Sequence, residues 1–188
     1  MPVEKEKTFD KTRKSIEVKA PGQYDASTKY TIFLAGAIDQ GKAVDWQKEV
    51  SQALSDFDIL ILNPRRDDWD ASWEQSADNP EFAKQVTWEY DAMEAADMVV
   101  FVFTKDSKAP ITFYELGRFG RDKDALVCAE EGFYRQGNLD IYCRLDSIPI
   151  YHNLEAMLED LKNVLSKHFG GPVEPFVNPD ANKGDEAI

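Results

Sequence analysis

The chain has 188 residues, 43% hydrophobic and 30% charged, which suits one water-soluble domain with a buried core. No apolar run approaches the ~18 residues of a membrane helix, and the polar opening MPVEKEKTFDKTRKSIEVK is not a secretory leader, so the expected site is the cytoplasm, with no membrane partner. Net charge is −13, and residues 1–30 carry a balance of +2, so the remainder holds −15, a body that repels phosphate backbones and argues against a nucleic-acid partner.

Residues 1–28 show no clear period and are read as a mobile or loosely docked arm. YTIFLAG (30–36) is a strand ending in Gly36, and VDWQKEVSQALSD (44–56) sets Trp46, Val50 and Leu54 at helical spacing. DILILNP (58–64) is an apolar strand closed by Asn-Pro. PEFAKQVTWEYDAMEAAD (80–97) opens with proline, which a first helical turn tolerates, and its Phe82, Val86, Tyr90 and Met93 form the expected buried stripe. MVVFVFT (98–104) is the most apolar strand and therefore central. A helix carrying ITFYELGRFG (111–120) follows, then a strand at ALVCAE (125–130) and a fifth at either IYCRL (141–145) or SIPIYH (147–152). LEAMLEDLKNVLSKHF (154–169) is an amphipathic helix, and residues 170–188, rich in Gly and Pro, are an extended tail.

Alternating strands and helices predict an α/β domain over 29–169, a flavodoxin-like three-layer sandwich with a five-stranded, mostly parallel sheet. Ligands of such sheets bind outside the carboxyl ends of the strands, near the topological switch point. Those ends carry AGAIDQG, NPRRDDWDASW, KDSKAPITFYE and EEGFYRQGNLD.

Glu115 has two readings. Thr112 and Glu115 fit a capping box, in which each satisfies the other's free backbone amide at a helix start. Alternatively, Glu115 projects into the crevice, where the helix-start dipoles favour its ionised form and make it a nucleophile or cation stabiliser. Asp91 is either an exposed aspartate or a second carboxylate reaching toward Glu115, dividing acid and nucleophile roles as in sugar-bond cleavage. Loop aromatics, Trp69, Trp73, Trp88, Tyr114, Phe133 and Tyr134, suit a planar base or simply pack over the sheet rim. Arg65 and Arg66 hold an anion or pair with Asp67, Asp68 and Asp70. Cys128 and Cys143 read as buried thiols, and His152 and His168 have no partner at ligand spacing, so no metal is expected. No GxGxxG, Walker loop or GxSxG elbow occurs, and no cofactor is expected.

FLAGAID, NPRR, QVTWEYDAMEAADMVVFVF, ITFYELGRF and GNLDIY occur in an order and spacing that resemble the nucleoside 2-deoxyribosyltransferase family, in particular its branch with NPRR and WE-x-D motifs. The resemblance spans roughly residues 30–165 by this periodic reading. It implies cleavage of the N-glycosidic bond of a 2′-deoxynucleoside and transfer of the sugar to another nucleobase through an ester on Glu115. It implies Asp91 as the acid, and a homo-oligomer in which Asn138 is lent in trans to the sugar 5′-hydroxyl, with Asp140 two residues on. Phe33, Gly36, Arg65, Trp88 and Tyr114 complete the expected substrate pocket. Two positions depart from the family's pattern. Phe33 stands where a tyrosine is usual, leaving Tyr114 or Tyr90 to supply a hydroxyl near Glu115. Ala109 stands where an aspartate is usual, with Asp106 nearest.

Asp39 in the first loop disfavours a phosphate dianion at close range, so an unphosphorylated nucleoside is expected. The alternatives are an N-glycosidase acting on nucleosides or their 5′-monophosphates, and a nucleoside-derivative-binding module without turnover.

Overall fold

The computed structural model describes residue 10 and residues 13–38, 45–68, 70 and 72–169. Among the described residues eleven elements follow one another: β1 (Ile16–Lys19), β2 (Tyr30–Gly36), α1 (Trp46–Ala53), β3 (Ile59–Asn63), α2 (Pro80–Ala95), β4 (Met98–Phe103), α3 (Pro110–Phe119), β5 (Asp124–Ala129), α4 (Gln136–Leu145), β6 (Ile150–Tyr151) and α5 (Leu154–His168). All ladders are parallel, in the order β1-β3-β2-β4-β5-β6. Without β1 this is the flavodoxin-like order, and the α/β three-layer expectation holds with one strand added.

The added strand lies inside the expected N-terminal arm. β1 is mostly exposed, so it shows no apolar alternation; its backbone simply extends the sheet beyond β3. Its polar side chains are committed across the edge. Glu17 accepts from Ser51 and Asn63, and Lys19 bridges Asp67. A charged edge of this kind discourages further strand pairing.

Of the two possible fifth strands, 150–151 pairs with β5 whereas 141–145 falls within α4. α4 buries Leu139 and Cys143 one turn apart and leaves Ile141, Tyr142 and Leu145 exposed, a helical rather than a two-residue period.

β2, β3 and β4 are buried along nearly their whole length, as strands covered on both faces must be. One face packs α2, α3 and α4 through Trp88, Ala92, Met93, Phe119, Leu139 and Cys143. The other packs α1 and α5 through Trp46, Val50, Leu54, Met157, Leu161 and Leu165. Both cysteines are free and buried, and burial pushes the Cys143 thiol up to about 11.

The strand order changes direction between β2 and β4, which puts the topological switch point at their carboxyl ends. Gly36 closes β2 there. A Cβ at this position would stand 2.6 Å from the Trp46 ring and 2.6 Å from the Val102 carbonyl. Gly36 is therefore required by the packing of α1 on the sheet. Gly36→Ala is expected to cost about 1–3 kcal/mol of unfolding free energy, from overpacking; a urea midpoint equal to wild type would contradict the close approach.

Candidate active site

α3 begins at Pro110, with Ala109 as its left-handed N-cap (φ 45°) and no side-chain cap hydrogen bond. Thr112 is buried within the first turn, and Glu115 lies in the second. The capping-box reading of Thr112 and Glu115 therefore does not apply, because both lie inside the helix rather than across its start. The expected help from the helix dipole fails for the same reason, since it fades beyond the first turn.

Glu115 is partly buried and is pushed up to about 8, first by desolvation and then by the negative charge of Glu89. Glu89 is itself pushed up to about 7 by desolvation, opposed by a hydrogen bond from Gln85. Two carboxyl groups from neighbouring helices are thus electrostatically coupled in poorly hydrated surroundings. Their titration belongs to the pair, which holds at least one proton near neutrality.

Asp91, expected as the partner of Glu115, is exposed on α2, and its electrostatic influence falls on Tyr24. The reason is the rotation of α2. Its buried residues are Gln85, Trp88, Ala92 and Met93, whereas Val86 and Tyr90 of the expected stripe are 45% and 48% exposed. At about 100° per residue, Asp91 lies roughly 200° around the helix from Glu89. The rotation is held by polar groups. Gln85, only 2% exposed, donates from Nε2 to the Pro64 carbonyl (2.9 Å) and to Glu89 Oε1 (2.8 Å). The WE dipeptide holds the carboxylate whose charge raises Glu115; choosing between Glu89 and Asp91 requires knowing that an inward glutamine interrupts the apolar stripe.

The remaining candidates are dispersed. Phe33 is buried and packs against Trp88, whose indole donates to the Gly22 carbonyl at 2.7 Å and meets Tyr24 edge-on. Trp88 is therefore part of the seam between α2 and the N-terminal segment rather than an open base platform. Neither tyrosine offered as a substitute hydroxyl is seen bonding Glu115: Tyr114 is 74% exposed, and the Tyr90 hydroxyl donates to Glu94.

Arg65 lies near Asp45 and Gln47 rather than the following aspartates. Arg66 is held by Asp68 through two hydrogen bonds, stands 3.8 Å from Glu81 and lies over the Trp73 ring. Phe133 is buried among Phe103 and Phe113, and Tyr134 is 57% exposed. Asp39 and Trp69 lie outside the described residues.

Asn138 is exposed on α4 and lines a groove of about 470 Å³ between α3 and α4, together with Leu116, Gly117, Leu139, Cys143 and Ile148. Asp140 stands 3.6 Å from His152 Nε2. Among the described residues, no three His, Cys, Asp or Glu side chains group as metal ligands, and no helix is long and apolar enough to cross a membrane.

A family model described as "Nucleoside 2-deoxyribosyltransferase like" matches residues 29–133, a span that includes Glu89 and Glu115 and stops short of α4. No functionally curated protein matches the chain. Among solved structures, the FeoB G-domain from Methanococcus jannaschii is similar at 12% identity and a TM-score of 0.42, covering 75% of this chain and 97% of that one. So loose a likeness supports no functional argument.

The coupled carboxyl groups set a pH dependence. Both are raised above the ordinary carboxyl range, so between that range and about 8 the folded chain holds more protons than the unfolded one. Their contribution is full at low pH and lost as pH rises through their folded values, so stability should fall across roughly pH 5 to 8. Replacing Glu115 with glutamine should flatten that fall, as read from thermal midpoints at each pH; an unchanged slope would remove Glu115 from the coupled pair.

Proposed function

The chain belongs to the nucleoside 2-deoxyribosyltransferase-like family, and from that premise we propose that it cleaves the N-glycosidic bond of an unphosphorylated 2′-deoxynucleoside and passes the sugar to another nucleobase. The observation that carries this reading is that Gln85, buried on the inner face of α2, holds Glu89, and the charge of Glu89 together with burial raises Glu115. A two-carboxylate sugar transfer needs one ionised group and one protonated group at the same time. Mutual repulsion and poor hydration keep a proton on such a pair near neutrality.

In the proposed sequence, the ionised Glu115 oxygen attacks the anomeric carbon while the bond to the base breaks. The bonding electron pair moves to the base nitrogen, and Glu89 delivers its proton to the departing base. Positive charge growing on the sugar favours the pair in the form with Glu115 ionised, although in the empty site Glu115 is the more strongly raised of the two. A second base then attacks the same carbon, gives its proton to Glu89 and expels Glu115. Two inversions retain the configuration. The reading assigns Glu89 the acid role that the resemblance gave to Asp91.

The family resemblance also brings Asn138 from a second copy. Support for a second copy is the apolar exposure on α3 and α4, where Ile111, Tyr114, Ile141, Tyr142 and Leu145 are each at least half exposed and Tyr142 lines the groove with Asn138. Exposed large apolar side chains of this kind suit an association surface.

Incubation with a deoxynucleoside and a different free base should yield the exchanged deoxynucleoside. Glu115→Ala should abolish exchange, and Glu89→Gln should lower kcat by about 10²–10⁴-fold, the range of a general acid. Asp91→Asn should leave kcat within about twofold, as expected for an exposed group outside the pair. Full exchange by Glu115→Ala would overturn Glu115 as the nucleophile, and free deoxyribose without exchange would replace transfer by hydrolysis. Tyr142→Glu combined with Leu145→Glu should convert the assembly to monomers in sedimentation and reduce exchange with it.

A further inference from the structure

The Gln85 amide sits between an acceptor that never changes and one that titrates. Its Nε2 donates simultaneously to the Pro64 backbone carbonyl and to Glu89 Oε1, while its buried Oε1 has no hydrogen-bond partner among the described residues. A backbone carbonyl can only accept. Turning the amide over would set Oε1 against the Pro64 oxygen and withdraw both donors from it. Leaving one buried oxygen unpaired costs less than that repulsion, so the amide is locked as a donor.

Glu89 Oε1 is consequently always an acceptor, and when Glu89 carries a proton that proton must reside on Oε2. We propose that Gln85 is the positioning residue that confines the Glu89 proton to Oε2, anchoring it to the carboxyl end of β3 through Pro64. This rests on the reading of Glu89 as the acid opposite Glu115. Among the described residues, Glu115 is the charged group coupled to Glu89; Gln85 and Pro64 face it with neutral dipoles.

The lock has a kinetic consequence. Donation to a carboxylate favours its ionised form. Without it, Glu89 holds its proton to higher pH, but on either oxygen and without fixed aim. Gln85→Met keeps the volume and removes both donors. It should lower kcat by roughly 10- to 100-fold, part of what a general acid supplies, with KM within about twofold, and it should move the alkaline limb of the kcat profile upward. An unchanged limb with unchanged kcat would overturn the proposal.

A second measurement needs neither turnover nor a folded Gln85 variant. In wild-type chain labelled with ¹⁵N, the Gln85 side-chain amide protons should shift with pH across the titration of the Glu89–Glu115 pair, above the ordinary carboxyl range. The shift should vanish in Glu89→Gln. An amide signal indifferent to pH, or one that titrates equally without Glu89, refutes the lock. Absence of any sugar exchange alongside a titrating Gln85 signal would reject the function while leaving the lock standing.

Discussion

The arrangement depends on a buried amide that two oxygens compete to hold. Gln85 is 2% exposed, and its side chain must find acceptors inside the protein or lose more free energy than its helix face recovers. It finds them in the Pro64 carbonyl, just past β3, and in Glu89, one helical turn along α2. Satisfying those two bonds rotates α2 until Glu89 turns inward and Asp91 outward. Which carboxylate's charge acts on Glu115 follows from that rotation.

The pair then acquires chemistry from its surroundings. In water, neighbouring carboxylates would both ionise at neutral pH. Here desolvation raises Glu89 and Glu115 alike, and the charge of Glu89 raises Glu115 further. Gln85 pulls in the opposite direction on Glu89, so this hydrogen bond and the charge of Glu89 on Glu115 together set the two groups apart. Different environments on like groups divide acid from nucleophile in sugar-bond chemistry generally.

The N-terminal segment links edge and site. β1 pairs with β3, Asn63 at the end of β3 holds Glu17, and the chain then crosses α2, where Gly22 accepts from Trp88 and Tyr24 packs against its ring. Trp88 is thereby spent on joining the segment to α2. The same residue type that suggested a base platform serves as mortar, because an indole satisfies one hydrogen bond while burying a large apolar area.

Much of this was legible along the chain. The alternation of apolar runs with helical periods determined the α/β class, the strands β2 to β5 and the helices α1, α2, α3 and α5, because burial on both sheet faces requires continuous apolar strands and amphipathic helices. The sequence alone also singled out Glu115, through ELG after the central strand. Three things were decided only in three dimensions. β1 is held by backbone pairing at an edge, which needs no apolar pattern. α4 took its helical form from burying Leu139 and Cys143 on one side, a period too short to separate from a strand. And the charge of Glu89 rather than Asp91 acts on Glu115, because the rotation of α2 is held by hydrogen bonds from Gln85 to groups 21 residues back and one turn ahead. A hydrophobic pattern records where water is excluded; it does not record which buried polar atoms find each other.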